Sequence, residues 1–599
     1  MRFFLRPLTV LLLLIAAATT SDLRAAGVSE LRPAEPVVAD SISSTISGFV
    51  RDSANGEPII GASVQIKALK RGARTNKSGY FVLYVPSNVE HLVEISSIGY
   101  SPFRTTIRLG PDDKKQLDIK LRTAAFQGGE VTVERDRDRE REAPKVSTVT
   151  INPQQVAQLP KAGEADLFRT LQLIPGVKTS SEISSGLYIR GGSPDQNLIL
   201  LDGSVLYNPS HFFGFFSTFN SDAIKDVELI KGGYPAEYGG RLSAVLSVTN
   251  KDGDREETHG KFSIGLISSR ATVETPLGTG AVTLSGRRTY LDAILAATGL
   301  KDELDLPDYN FYDLNAKITQ NPSNGDKIAL SGYLGRDILD FSDPAAGASV
   351  LLKWGNKSAS LDWMHLFNDN LFSQFNLSAS SYFSNLTLGS SGEDFIRDND
   401  ILDYTLNGAL EYSPNEDHQF KFGFQSTMYN FTFLVKYGKN PPSANVDLSP
   451  FYGAVYLQDE WKLSEQAAVN AGLRIDGISS RPEIGIDPRV SMRYILNSDV
   501  TLKASFGVYH QYLRLATNPN ISFFDVWLPV DSTQPPARSE QYILGVATTP
   551  WEGYTLEVEG YYKKLHDIVE LRPNIVNGAR LSDVFFLGDG YSYGIELFL

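Results

Sequence analysis

Cysteine is absent from the 599 residues. That excludes disulfides, thiolate metal sites, cysteine nucleophiles and a lipid-modified cysteine anchor. Histidine is scarce, at seven, and no convincing cluster of nucleophile, base and orienting group stands in the sequence, so an enzyme is not expected. Positive charge is in deficit. The 56 Lys and Arg against 70 Asp and Glu leave a formal charge of −14 and a pI near 5.1, which argues against nucleic acid as a partner. After the N-terminus no apolar run is long enough for a membrane-spanning helix. Aromatic residues, in contrast, are plentiful: 27 Tyr and 32 Phe in a chain that is 42% apolar. That balance suits strands in which only alternate side chains face an apolar phase.

Residues 1–26 read as a secretory signal. Arg2 and Arg6 give a positive start, Leu8 to Ala18 an apolar core too short to span a membrane, and Ala25-Ala26 a small-residue end. The chain is therefore expected to be exported, and a soluble, β-rich secreted protein remains one reading of these features.

Residues 42–123 follow as short extended runs between Gly/Asn/Ser turns, among them Ser47 to Val50, Pro58 to Ile66, Tyr80 to Val85 and Leu117 to Leu121. This spacing predicts a small β-sandwich. Gly48, Asp52, Gly56, Pro58, Gly61-Ala62, Val64, Thr75, Gly79, Phe81, Gly99 and Tyr100 resemble the carboxypeptidase-regulatory-like domain found ahead of many Bacteroidetes-type receptors. Residues 124–143 form a linker. ERDRDRERE, at 134–142, alternates charge with no apolar residue and reads as hydrated connector. Glu130, Val131, Thr132 and Val133, just before it, make a short β-prone patch suited to adding a strand to a partner's sheet edge; the last strand of the sandwich is the plainer reading.

Residues 144–251 are of mixed α/β character. Ala165, Leu167, Phe168, Leu171 and Ile174 recur at helical spacing before Pro175-Gly176. Asn197 to Leu201 reads as a strand, and Ile224 to Lys231 as a helix–strand passage. Three motifs in order, LQLIPGV (171–177), YIRGGSPDQNLILLDG (188–203) and KGGYPAEYGGRLSAVLSV (231–248), closely resemble the plug domain of TonB-dependent receptors. The resemblance implies that Arg190, Glu237 and Arg241 face the barrel wall and hold the plug, since a charge inside a barrel needs a partner. It also makes Glu130 to Val133 the TonB-box candidate. Tyr207, His211, Phe212, Phe213, Phe215 and Phe216 crowd one segment between strands. They are candidates for a plug loop facing substrate; packing against the barrel wall is the alternative. Asp202 and His211 alone do not make a metal site, and no metal or cofactor is expected.

From 258 to 599 the apolar period becomes two. Leu402, Tyr404, Leu406, Leu410 and Tyr412 share one face, and Asp403, Thr405, Asn407, Ala409 and Glu411 the other. Residues 554–562 and the series Phe420, Phe422, Phe424 repeat the pattern. About seventeen strand candidates follow one another, a number that favours an antiparallel transmembrane barrel over a chance sheet. The longer breaks at 292–308, 387–399 and 515–538 are expected to be extracellular loops, and Tyr290, Tyr452 and Trp461 interface girdle residues. The resembled family has about 22 strands. The chain ends inside a strand pattern, so about five further strands are expected beyond Leu599; a sixteen-strand barrel is the alternative.

The expected class is thus multidomain: sandwich, mixed α/β plug and partial barrel, in the outer membrane of a Gram-negative cell with the sandwich periplasmic. The resemblance implies energy-coupled uptake of a scarce nutrient: a ferric siderophore, cobalamin, a glycan or a peptide. Implied partners are a periplasmic TonB-type energy transducer, outer-membrane lipid, the small nutrient or metal-chelate ligand, and a surface lipoprotein. An adhesin or ligand-sensing receptor with the same architecture but no active transport is the alternative.

Overall fold

The computed structural model describes residues 43–69, 71–97, 99–124, 146–151, 166–179, 186–265, 267–299, 307–343, 347–390, 393–516, 526–551, 553–571 and 585–599. The signal segment, the charged linker and Glu130 to Val133 lie outside the described residues.

The N-terminal unit is a sandwich of two sheets. In one, Ser43–Asp52 pairs antiparallel with Tyr80–Pro86 and parallel with Lys114–Leu121. The other orders Arg71–Arg74, Ser63–Ile66, Glu90–Ser96 and Phe103–Arg108. Alternate residues of both inner faces, among them Ile46, Val50, Val64, Phe81, Val93 and Ile119, form one apolar core.

The plug is built on a five-stranded sheet in the order Ser204–Val205, Asn197–Leu201, Ala244–Asn250, Ile224–Ile230 and Thr148–Ile151. Asn197–Leu201 and Ala244–Asn250 are parallel and the other pairs antiparallel. Val227, Leu229, Leu246 and Val248 pack against Leu167, Phe168 and Leu171 of the helix Leu167–Leu171. Asp166 caps that helix by accepting from the Arg169 amide at 3.0 Å. Of residues 224–231, expected to mix helix and strand, Ile224–Ile230 is one strand with a bulge between Ile224 and Asp226. Both neighbouring strands pair with it, and that pairing overrides the local helical spacing.

The remainder is a 17-stranded sheet running from His259–Ile264 to Phe585–Phe598, with neighbours antiparallel and almost all consecutive in sequence. The alternation places side chains as its pattern demands. Tyr404, Leu406 and Leu410 are 40–50% exposed on the outside, whereas Asp403 and Thr405 are buried on the inside. One rim carries short turns, at 278–279, 369–370 and 413–417, and lies beside the sandwich. The opposite rim carries the longer connections. One expectation there needs correction. Residues 387–399 are mostly strand, because Leu371–Ser390 and Glu393–Tyr412 pair along their full length. The 292–308 break contains the helix Leu291–Thr298. Within 515–538, Leu513–Ala516 and Val526–Pro529 form a two-stranded ribbon. Trp461 is exposed on the outer face, but Tyr452 points inward, 3% exposed, with its hydroxyl on Asp476 at 2.9 Å.

Candidate functional site: the interface between plug and barrel

The plug sits inside the curved sheet and touches inward-facing residues from early strands to the last one. Its contacts combine apolar clusters around Tyr207, Phe216 and Tyr234 with charges that the sequence disperses over hundreds of positions. Arg190 lies in a turn with φ of +49°, followed by Gly191 at +73°. This conformation is costly for a side-chain-bearing residue and aims the guanidinium at the wall. Its Nε donates to Glu596 Oε1 at 2.8 Å, and its NH2 to Glu596 Oε2 at 2.7 Å and Glu559 Oε2 at 2.5 Å. NH1 donates to Ser147 Oγ at 2.9 Å. Lys231 adds a second cation, 2.5 Å from Glu596. Two cations thus face two carboxylates, all nearly fully buried. Burial alone would lower the Arg190 pKa, but Glu596 and Glu559 outweigh it and raise it.

Glu237 meets Lys421 of the barrel at 2.6 Å, and Lys421 also meets Glu411 at 3.0 Å. Arg241 makes a different contact: its guanidinium lies 5.2 Å from the ring centroid of Trp527, in the ribbon, and donates to the Gly240 carbonyl at 2.9 Å.

The aromatic segment turns inward. Tyr207, His211 and Phe216 are at most 6% exposed, so the expectation of an open, substrate-facing loop does not hold for them. The Tyr207 hydroxyl donates to Asp403, and its ring packs edge-on against Trp527. Burial raises the Tyr207 pKa well above the usual value, and Asp403 adds to the effect. His211 is clamped between two barrel aspartates, Nδ1 to Asp337 at 2.5 Å and Nε2 to Asp313 at 2.7 Å, with Phe311 stacked 4.2 Å away. Burial pushes its pKa down, but the two carboxylates raise it to about 9, so the imidazole is a cation at neutral pH. Phe212, at φ +49°, donates its amide to Tyr309 Oη at 2.7 Å and Asp337 at 3.1 Å. Phe212 and Phe215 are partly buried and pack on the aromatic cluster of Phe216, Tyr309, Phe311 and Trp354. The Phe213 side chain lies outside the described residues. Asp166 also accepts from the Ser217 amide at 2.6 Å, tying the helix cap to this segment.

The wall residues were not singled out from sequence. Their signal is a charge in the inward phase of an alternating strand, as with Glu559 between Val558 and Gly560. Arg489 and Arg474 also hold the GGYPAEYGG turn. Arg489 NH1 donates to the carbonyls of Pro235 at 2.7 Å and Tyr238 at 2.5 Å, and Arg474 NH1 to that of Ala236 at 3.2 Å. A Cβ at Gly239 would overlap the Arg474 guanidinium, which accounts for that glycine. Beside them Asp476, Asp487 and His510 bring ligand-type atoms within 4.8 Å of one another. Arg474 at 3.3 Å and Arg489 at 3.0 Å already neutralise those carboxylates, a poor environment for a further cation. At the junction of plug and barrel, Asp252 pairs with Lys225 at 3.0 Å, Lys317 at 3.1 Å and Lys327 at 2.7 Å. Asp202 joins this cluster through Lys317 at 3.0 Å.

A plug pinned inside a barrel by such pairs has counterparts among known proteins. Residues 139–245 match the family model described as TonB-dependent Receptor Plug Domain, and residues 275–599 that described as TonB dependent receptor-like, beta-barrel. The chain belongs to the TonB-dependent receptor family. Residues 46–133 match the CarboxypepD_reg-like domain. The receptor is similar in structure to the siderophore receptor PirA from Pseudomonas aeruginosa, with a TM-score of 0.57 at 14% identity, over 75% of this chain and 81% of that one. A mutant of the ferric enterobactin receptor PfeA from the same organism, in complex with enterobactin, gives 0.56 at 15% identity over 76% and 78%. The outer membrane transporter YddB from Escherichia coli gives 0.57 at 12% identity over 76% and 75%. At these identities the likeness is one of fold. The receptor is an outer-membrane β-barrel protein with its N-terminal domain in the periplasm. The rim of short turns is therefore periplasmic and the other extracellular. Family and neighbours are receptors and transporters rather than enzymes.

Proposed function

We propose that the receptor carries out energy-coupled uptake of a scarce nutrient across the outer membrane, with a ferric siderophore as the first class to test and cobalamin, a glycan or a peptide as the others. The observation that carries this reading is the nature of the plug–barrel contacts. Arg190, Lys231, His211, Glu237 and Asp252 hold the plug to the barrel by ion pairs, with separate apolar clusters rather than one continuous apolar seam between them. Parting a buried ion pair costs little net free energy when both groups reach water, because hydration repays the desolvation they suffered. A plug held this way can be shifted by force and can return.

Ligand would bind at the extracellular face, where plug apex and barrel loops meet. The energy transducer would grip Glu130 to Val133 and pull, since the outer membrane has no ATP of its own. Lipid would cover the outward apolar face, and a surface lipoprotein would meet the extracellular rim. The test is accumulation of ferric chelates, cobalamin, oligosaccharides and peptides by cells expressing the receptor with and without residues 129–133. Uptake that vanishes with the deletion while surface binding persists is the expected result. Unchanged uptake removes this segment as the coupling box. Binding with no uptake by the intact receptor moves the reading to an adhesin or sensor.

A further inference from the structure

The N-terminal sandwich does not hang free of the barrel. Glu57 Oε1 accepts from the backbone amides of Asp252 at 2.5 Å and Gly253 at 3.1 Å, where the chain passes from plug to barrel. The Arg255 amide donates to the Asn55 carbonyl at 3.0 Å. On the periplasmic rim, Ser47 Oγ donates to Asp369 at 2.7 Å, Tyr80 Oη to the Asp369 carbonyl at 2.9 Å and Tyr84 Oη to the Ser413 carbonyl at 2.5 Å. Arg71 meets Glu416 at 2.8 Å. Phe49 and Tyr80 form an apolar cluster with Met364 and Phe372 of the barrel. The sandwich thus bridges the junction and two periplasmic turns. Between sandwich, plug and barrel lies a cavity of about 2660 Å³, partly open to the periplasm and lined by residues of all three, including Lys77, Thr150, Glu228 and Lys421.

We infer that the sandwich is a docked periplasmic cover that obstructs one side of the barrel exit and must swing away before cargo leaves. The attachment chemistry supports release. Most of the contacts are single hydrogen bonds or ion pairs at the rim, and one small aromatic cluster supplies the apolar part. Glu57 is the exception, because its carboxylate satisfies two buried amides that no other described group serves. The cover goes beyond the uptake reading, since a cavity and its cover are properties of the protein at rest.

The absence of cysteine allows single thiols to report on it. In isolated outer membranes, Thr150→Cys is reacted with N-ethylmaleimide and with a polyethylene-glycol maleimide large enough for the docked sandwich to slow its passage to the cavity. Removal of residues 42–123 should speed the bulky reagent by about tenfold or more and leave the small one nearly unchanged, because the docked sandwich obstructs only the larger probe. Glu57→Lys should act in the same direction. Equal bulky labelling with and without the sandwich overturns the cover. Next, the pairs Ser47→Cys/Asp369→Cys and Tyr84→Cys/Ser413→Cys are joined by a short bis-thiol reagent. Failure of both pairs to join overturns the docked position. With the bridge formed, energised cells should lose uptake of ferric enterobactin or whichever probe the parent accumulates, and regain it on reduction. Full uptake with the bridge in place overturns the requirement for release. A parent that accumulates none of the probes counts against the uptake reading, while the labelling result still decides the cover.

Discussion

Replacing Arg190 with Ala removes a guanidinium that is 2% exposed and makes four side-chain hydrogen bonds. Glu559 and Glu596 stay buried with only Lys231 to answer both, and Lys231 reaches Glu559 only at 3.8 Å. Removing one partner from a buried charged cluster costs roughly 3–5 kcal/mol. Because Lys231 and the Ser147 amide and hydroxyl remain on these carboxylates, the low end applies, about 3 kcal/mol, or on the order of a hundredfold in the opening equilibrium of the plug. Hydrogen exchange of the purified receptor reads this directly, through the amides of Ile224–Ile230 and Ala244–Asn250. Combining Arg190→Ala with Glu596→Gln should cost less than the sum of the single changes, since the second removes one of the two carboxylates that Lys231 alone would otherwise have to neutralise. A loss below about 0.5 kcal/mol for Arg190→Ala, or strict additivity with Glu596→Gln, would refute the view that this cluster fastens the plug.

Three further outcomes are expected. His211 gains protonation on folding, with a pKa raised from 6.5 to about 9, so its contribution is full below about pH 6.5 and disappears as pH climbs through about 9. Plug exchange should therefore quicken between those values in the parent and far less in His211→Asn; identical profiles for the two would disprove the clamp. Gly176, at φ +86°, accepts from the Arg190 amide at 2.9 Å, and a Cβ there would overlap the Glu596 carboxylate. Gly176→Ala should cost on the order of 1–3 kcal/mol and loosen the Arg190 cluster, detectable as faster plug exchange, whereas a neutral result would mean that the turn relaxes freely. Tyr207→Phe removes the donor on Asp403 Oδ2, leaving the Thr405 hydroxyl on Oδ1 at 3.2 Å, and should cost about 1 kcal/mol in the same measurement, an effect that Asp403→Asn would largely cancel.

The architecture is readable in the chain because period-two alternation sustained over hundreds of residues suits little besides a two-faced sheet. Tyr404, Leu406 and Leu410 against Asp403 and Thr405 state the barrel's two faces in one strand. The plug was legible through its glycine-marked motifs, and Gly239 and Gly176 turn out to sit where barrel side chains leave no room for a Cβ. Strand ends and loops were less readable. Residues 387–399 are polar enough to suggest a loop, yet they continue a hairpin whose pairing is set by neighbours rather than by composition. The site was legible only from one side. Arg190 and Glu237 could be picked from the plug motifs, but Glu596, Glu559 and Lys421 lie 406, 369 and 184 positions away, and no local pattern links them. The aromatic segment misled for a related reason: a run of Phe and Tyr signals burial or binding equally well until the opposing wall is known.

The strands differ in length in a way that gives the mouth a direction. Leu371–Ser390, Glu393–Tyr412 and His418–Tyr437 each hold 20 residues, whereas Ala467–Ile478, Val500–Gln511 and Ala537–Thr548 hold 12. At about 3.3 Å per residue and about 40° of tilt, the first group stands about 50 Å tall and the second about 30 Å. The apolar band of such a barrel is about 25 Å high. With the periplasmic turns level, the short strands barely clear the membrane while the long ones rise about 20 Å above it as a parapet. The rim is lopsided. A large molecule arriving along the cell surface would meet a wall on one flank and a low sill on the other, so entry and any seated companion would favour the sill.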